Sequence, residues 1–508
     1  PEVLNVPTIG NIISSYKYIS NQKIIKNKIW RYQMISLLTK KTKIVATLGP
    51  ATASPEILEK LLTNGANVIR LNFSHGEQEI HKKSIEMIRE ISGKLGIHVG
   101  ILADIKGPKI RAGEFKEDTQ LIKGNNIIIQ KKEIIGTKDS FSISYPGFID
   151  DANINDTVML DDGNLNLTII DKDSEKLICR IENDGIMKSR KGVGLPGKAV
   201  NIEFMSDKDR SDLEFIAQSD VNFIAASFIR NKSDLASIRE VLAKFDKHNT
   251  PIISKIETQM AVDNIDEIIE YSDGIMVARG DLGIDLPLYK VPIVQKMIIK
   301  KCNLVGKPVI TATQMLESMI ENPRATRAEI SDVANAILDG TDAVMLSGES
   351  AVGKYPVEAV ATMNEIASHV EQIIDYHKLM SEFTLHVNLL QSDESTAFSV
   401  VHAANNINAK LIVAATQSGK SAKLISKYRP STNIVALCPN SSVAQSLSLY
   451  SGVISVVGSN FSDMMELIDE SRKVAVEKFS LKPGDSMITV GGIPIATSKT
   501  NFMKITEL

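Results

Sequence analysis

Gly274-Ile-Met-Val-Ala-Arg-Gly-Asp-Leu-Gly283 decides how the rest of the chain is read. Ile275, Met276, Val277 and Ala278 form an unbroken apolar run, the pattern of a buried strand. The run closes on Arg279-Gly280-Asp281, expected as a charged, flexible turn. Charge at the mouth of a buried strand usually serves a site, because desolvating it elsewhere is costly. Just upstream, Pro251-Ile-Ile-Ser-Lys-Ile-Glu257 repeats the pattern and ends in Lys255 and Glu257. Residues two apart point to the same side of a strand. Glu257 and Asp281 can then hold one hard divalent cation between neighbouring strand ends, with Lys255 beside it. A few oxygen ligands suit Mg2+ shared with a substrate phosphate. The alternative is a salt bridge inside a barrel mouth.

Working outward, short apolar runs alternate with helical patterns. Before residue 108 they are Lys43-Ile-Val-Ala-Thr-Leu-Gly49, Asn67-Val-Ile-Arg-Leu-Asn-Phe73 and Val99-Gly-Ile-Leu-Ala-Asp-Ile105. The first intervening helix starts at Ser54-Pro55, with Ser54 as its cap and Pro55 at its first position. After residue 197 the runs are Asn222-Phe-Ile-Ala-Ala-Ser-Phe228, the two stretches above, Pro308-Val-Ile-Thr-Ala-Thr313 and Ala343-Val-Met-Leu-Ser347. Three runs and five make eight, which predicts a (β/α)8 barrel with its site at the C-terminal strand ends. Between them, from about 108 to 197, short alternating runs separated by turns such as Asp161-Asp-Gly-Asn164 predict a small β-barrel lid. Four further runs, around 410, 433, 452 and 486, predict a C-terminal open α/β sheet. The expected division is therefore 1–40 as a basic extension, 41–107 with 198–378 as barrel, 108–197 as lid and 379–508 as the last unit.

Composition sets outer limits. A chain of 508 residues exceeds one core, so several domains are expected. A net charge of -3 argues against a general nucleic-acid binder. Three cysteines, Cys179, Cys302 and Cys438, are far apart without metal-ligand spacing, which fits a reducing compartment. No apolar run approaches the ~20 residues that span a bilayer. Residues 1–40 are basic, with Glu2 the only acid before Glu56. Such a leader is either an organellar transit segment or an amphipathic extension packing on a neighbouring subunit. The lack of an evident cleavage signal favours the extension and a cytoplasmic protein.

Several strand ends carry polar side chains. Arg70, Asn72 and Ser74 share one face if the second run stays extended. An Arg there suits phosphate as a bidentate fork, and Asn72 and Ser74 offer neutral oxygens to a monovalent cation or a phosphate. His75 is either a base or an ordinary loop histidine. Asp104-Ile-Lys-Gly-Pro-Lys-Ile-Arg111 joins barrel to lid. Gly107-Pro108 suits a hinge, and Lys106, Lys109 and Arg111 suit a polyphosphate or form a solvated basic turn. Thr313 and Ser347 end the seventh and eighth runs, where helix capping is the plainer role.

These stretches, in order, resemble pyruvate kinase from about Lys41 to Leu508. The resemblance rests on Arg70-Leu-Asn-Phe-Ser-His-Gly76, Ile253-Ser-Lys-Ile-Glu257, Met276-Val-Ala-Arg-Gly-Asp-Leu-Gly283 and Ile310-Thr-Ala-Thr-Gln-Met-Leu-Glu-Ser-Met319. Arg324-Ala-Thr-Arg-Ala-Glu329, Asp332-Val-Ala-Asn-Ala336 and Met345-Leu-Ser-Gly-Glu349 complete it. It implies phosphoryl transfer from phosphoenolpyruvate to ADP, giving pyruvate and ATP, with Mg2+ or Mn2+ on Glu257 and Asp281. Arg70 would hold the substrate phosphate. Gly280, Asp281 and Thr313 would hold its carboxylate. Lys255 would stabilise the transferring phosphoryl group and the enolate. Thr313, through a water, and Ser347 would lie on the proton path to enolpyruvate. Asn72, Ser74, His75, Arg111 and Lys191 would contact nucleotide, Lys191 by lid closure. A homotetramer is implied as well.

Two departures from the family pattern stand out. K+-dependent members read Asp-Thr-Lys-Gly-Pro-Glu where this chain has Asp104-Ile-Lys-Gly-Pro-Lys109. The family's K+ site maps onto Asn72, Ser74, Asp104 and the carbonyl of Ile105. Lys109 then brings a tethered ammonium that can replace the ion. The second departure concerns Thr416-Gln-Ser-Gly-Lys-Ser421, which resembles the family's effector phosphate loop through Thr416, Ser418, Gly419, Lys420 and Ser421. Residues 491–501 lack the Trp-Arg pair that recognises fructose 1,6-bisphosphate in eukaryotic members. That leaves a sugar monophosphate, a nucleotide, or no effector. A non-enzymatic relative would be expected to lose one of Arg70, Lys255, Glu257, Asp281 or Thr313, and none is lost. Another phosphoenolpyruvate or pyruvate enzyme on a barrel is disfavoured by the insert and the separate C-terminal sheet.

Overall fold

A computed structural model describes residues 40–508, apart from 162, 199, 385–390, 459–460 and 495–498, and apart from the side chains of 382 and 384. The basic extension predicted for residues 1–40 lies outside the described residues except for Lys40.

Eight parallel strands close into a barrel. In chain order they are Lys43–Thr47, Val68–Asn72, Gly100–Ile105, Phe223–Ala226, Ile252–Ile256, Gly274–Ala278, Val309–Ala312 and Ala343–Leu346. All are almost wholly buried, as expected of strands covered on both faces. Alternate residues split the core in two. Val45, Val68, Leu102, Ile253, Met276 and Ile310 fill the barrel interior. Their neighbours Ile44, Ile69, Ile101, Ile252 and Ile275 pack outward against the helices. Leu449, from the C-terminal part of the chain, is fully buried in the interior cluster and plugs the barrel floor.

Two predicted boundaries shift. The fourth strand ends at Ala226, so Ser227 and Phe228 leave it, and Phe228 turns with φ +56°. A bulky residue at positive φ is an outlier that the surrounding structure must hold in place. The second strand ends at Asn72, so Ser74 lies in a turn and not on a shared extended face. Asn72 Oδ1 accepts the Ser74 N–H at 3.1 Å, closing that turn as Asn side chains do.

The chain between the third and fourth barrel strands folds on its own core of Ile127, Phe141, Phe148, Leu167 and Leu177. Six of its strands form one sheet, antiparallel except where Asn126–Gln130 meets Ser140–Ser142. Its entry and exit lie side by side through an Arg111–Gly192 bridge.

The C-terminal sheet has the four expected parallel strands and a fifth, Phe502–Glu507, antiparallel at its edge. This last strand mixes Lys and Glu with half-exposed apolar residues, so its run gives no buried signal. The link between barrel and last sheet includes the helix Tyr376–Thr384.

Candidate active site

Lys255 Nζ stands at the centre of a buried polar cluster at the C-terminal strand ends. It lies 2.7 Å from Ser227 Oγ, 3.0 Å from Glu257 Oε1 and 3.4 Å from Asp104 Oδ1. Ser227 and Asp104 accept hydrogen bonds from the ammonium, and Glu257 adds an ion contact. Burial disfavours the charged lysine, yet Asp104 and Glu257 outweigh it and hold the ammonium above its ordinary pKa. The cluster thus keeps a full positive charge in a site from which water is largely excluded, since Lys255 is only 9% exposed.

Arg70 reaches the same cluster from the second strand. Its Nε donates to Asp104 Oδ2 at 2.6 Å and its Nη1 to Thr47 Oγ1 at 3.0 Å. Asp104, 1% exposed, answers two cations. Burial alone would raise its pKa, but Lys255 and Arg70 hold it below the usual carboxylate range. Removing one partner from such a buried pair typically costs about 3–5 kcal/mol. Asp104 therefore fixes the directions of Arg70 and Lys255 together.

Glu257 and Asp281 face each other closely enough for their charges to couple. Burial pushes the Glu257 carboxyl upward, Lys255 pulls it back, and Asp281 adds to the push. Glu257 Oε2 accepts the Phe228 N–H at 2.6 Å. Its Oε1 is buried and has no aligned hydrogen bond, only the ion contact with Lys255. A buried carboxylate oxygen without an aligned donor, next to a second carboxylate, fits a hard divalent cation. No group of three or more metal-ligating side chains occurs among the described residues, so substrate and water oxygens would complete the shell.

Asp281 does not sit on a flexible turn as the sequence suggests. It lies in the first turn of the helix Arg279–Asp285. Arg279 is only 9% exposed and paired with Asp332 at 2.7 Å. It donates to the Thr313 and Gln314 carbonyls at 2.8 and 3.1 Å. Those two residues have φ of +67° and +53°. The guanidinium thus clamps a left-handed pair that a β-branched residue resists. Thr313 Oγ1 accepts the Gly280 N–H at 2.8 Å, which joins the sixth and seventh strand ends. Ser347 follows the eighth strand, and its N–H goes to Glu349, whose other oxygen takes the Leu316 N–H.

The remaining predicted residues fall into separate groups. Asn72, Ser74 and His75 form the closed turn after the second strand, beside Asp104, the register partner of Asn72. Ile105 ends the third strand. Lys109 Nζ meets Asp281 Oδ1 at 2.7 Å. Arg111 and Lys191 lie together on the insert, where Lys191 pairs with Asp161 at 2.6 Å and Arg111 donates to the Arg190 carbonyl. Insert and barrel enclose a cavity of about 110 Å³ bordered by Lys109, Gly194, Phe228, Glu257, Asp281 and Asp285. In the C-terminal unit, Thr416, Ser418 and Gly419 precede the helix Lys420–Lys427; Ser421 Oγ lies 2.7 Å from Thr500 Oγ1, and Lys420 pairs with Asp393.

Ser227 and Phe228 escaped the sequence reading because their run scans as plain strand. Arg279 was noticed, but Asp332, its partner, comes too much later in the chain for spacing to reveal it. The Ser-Phe pair that closes an apolar run was the available signal.

Comparison with known proteins gives a consistent result. Residues 39–360 match the family model described as pyruvate kinase, barrel domain, and residues 394–506 match the pyruvate kinase alpha/beta domain. A pyruvate kinase of Bacillus licheniformis is 47% identical over 469 residues, covering 92% of this chain and 80% of that protein. One from Staphylococcus haemolyticus is 48% identical over 472 residues with the same coverage. The crystal structure of a pyruvate kinase from Cryptosporidium parvum superposes with a TM-score of 0.88 at 39% identity, covering 93% of this chain and 97% of that one.

Proposed function

The chain belongs to the pyruvate kinase family, which transfers a phosphoryl group from phosphoenolpyruvate to ADP, and from that premise we propose how its side chains perform the transfer. The observation that carries the reading is Lys255, a charged lysine within reach of Asp104 and Glu257 in a buried cluster.

Arg70, anchored by Asp104, binds the substrate phosphate through its remaining donors. The amides of Gly280 and Asp281, with Thr313, orient the carboxylate. Glu257 and Asp281 would hold Mg2+ (or Mn2+), which would supply positive charge to the phosphate oxygens. Lys255 stabilises the transferring phosphoryl group and then the enolate left behind. Transfer of this kind needs positioning and fixed charge more than covalent help from the protein. Thr313, through a water, and Ser347 lie on the route by which enolpyruvate gains its proton. Asn72, Ser74, His75, Arg111 and Lys191 take the nucleotide, Lys191 leaving Asp161 as the insert closes.

Lys109 makes K+ dispensable in this reading, in place of the ion held by Asn72, Ser74, Asp104 and Ile105 elsewhere in the family. Residues 416–421 form an anion site for a sugar monophosphate or nucleotide effector. A homotetramer is the proposed assembly. Leu288, Tyr289 and Ile293, at 76, 74 and 66% exposure, support it as an apolar patch that a subunit contact would cover. A cytoplasmic location is favoured by the bacterial relatives; among the described residues, no helix is long and apolar enough to cross a membrane.

Pyruvate release from phosphoenolpyruvate and ADP tests the reading. It is expected to require Mg2+ and to fail after chelation or in Glu257→Gln. Turnover that survives both would overturn the metal assignment.

A further inference from the structure

We propose that Ser227 is a positioning residue for the transfer step, acting through Lys255, and that the turn it shares with Phe228 sets the directions of both Lys255 and Glu257. The inference rests on the role given above to Lys255.

Ser227 Oγ is the nearest neighbour of Lys255 Nζ, at 2.7 Å, closer than either carboxylate. It is 3% exposed and also lies 3.3 Å from Asp104 Oδ1. A hydroxyl can accept from the ammonium while donating to the carboxylate, so one side chain satisfies both. The difference between Ser227 and the carboxylates is charge. Asp104 and Glu257 attract the ammonium and compete with an incoming phosphoryl group for it. Ser227 is neutral and gives direction without neutralising. Without the hydroxyl, the lysine has only the two carboxylates to settle on, and it turns away from substrate.

The next residue acts on the other half of the site. The Phe228 N–H donates to Glu257 Oε2 at 2.6 Å, and the backbone adopts φ +56° to present it. A left-handed aromatic residue is strained, so the surrounding packing must impose it. That packing includes the entrance to the insert. A Cβ on Gly107 would come within 2.6 Å of the Ser227 carbonyl oxygen. The hinge therefore lies directly against the turn that aims the catalytic lysine and the carboxylate.

The test compares Ser227→Ala and Ser227→Cys with the wild-type chain. Cysteine nearly preserves the volume of serine and accepts hydrogen bonds weakly, so it keeps the experiment decisive if the alanine variant folds poorly. The expected result is a kcat lower by about 10- to 100-fold in both, with KM for phosphoenolpyruvate changed by less than about twofold. Calorimetric binding of phosphoenolpyruvate with Mn2+ should be equally unchanged. In a Lys255→Met background, Ser227→Ala should cost nothing further, since two residues acting as one unit are not additive. Wild-type kcat in both variants, a loss carried by KM and affinity, or an undiminished loss in the Lys255→Met background would overturn the proposal. An inactive wild-type chain would instead remove the kinase reading on which the proposal depends.

Discussion

Lys109 Nζ lies 2.7 Å from Asp281 Oδ1, so an ammonium from the lid hinge contacts a carboxylate assigned to the divalent cation. Burial would raise the Asp281 pKa, but Lys109 and then Lys255 hold it low. In the proposed reading, the positive charge that would replace a monovalent ion comes from Lys109, two residues past Gly107. The wild-type chain should release pyruvate at similar rates in tetramethylammonium and K+ buffers. Lys109→Glu should lose at least about tenfold in the first buffer, the effect of ~1.4 kcal/mol in the barrier, and regain it with K+. A strong loss of wild-type activity without K+ would refute this role for Lys109.

Thr313 separates activity from stability. Thr313→Gly removes a left-handed strain of roughly 1–3 kcal/mol and a hydrogen bond of ~1 kcal/mol to the Gly280 amide. The two nearly offset, so the melting midpoint should stay within about 4 °C or rise. Meanwhile kcat should fall by about 10-fold or more. A large drop in melting temperature would show that the side chain holds the fold and not the substrate.

Gly107 is constrained by contact as well as by conformation, with φ +64° and the Ser227 carbonyl in its Cβ position. Gly107→Ala should lower kcat markedly. Gly124→Ala is the control, with φ +86° but nothing within 4 Å of the added carbon, and it should leave turnover unchanged. Equal effects in the two variants would mean that backbone strain alone is responsible.

The barrel floor should make stability depend on pH. Burial, reinforced by Lys43, lowers the Lys40 ammonium to about 7, although Glu371 pulls the other way. In the unfolded chain the same group keeps its proton to about pH 10.4. Between these values the unfolded state binds more protons, so stability rises with pH by up to about 1.4 kcal/mol per unit. Lys43, lowered by burial to about 8, adds the same sign at higher pH. Urea midpoints at pH 7 and 8 should therefore climb in the wild type and climb less in Lys40→Met. Parallel slopes would contradict the assignment.

The barrel was legible because its strands are buried, largely apolar runs followed at once by charged residues, as Ile252–Ile256 is by Glu257 and Gly274–Ala278 by Arg279. Arg70, Lys255, Glu257 and Asp281 could be singled out for the same reason. What escaped depends on three-dimensional partnership. The left-handed Phe228 and Thr313, the Arg279–Asp332 clamp and the Ser227 hydroxyl each take their meaning from residues far along the chain or from a backbone angle. Periodicity reports which face is buried, but not which neighbour it meets. The edge strand Phe502–Glu507 was missed because half of it faces solvent.

Lys255 bears the central claim, and phosphorus NMR of phosphoenolpyruvate, ADP and Mg2+ tests it most directly. With the wild-type chain the substrate signal should give way to the γ-phosphate of ATP. With Lys255→Met, conversion should slow by about 10²–10³-fold, the usual effect of losing one preorganised charge at the reacting group, while calorimetric binding of phosphoenolpyruvate persists. Transfer by Lys255→Met at the wild-type rate would contradict the account.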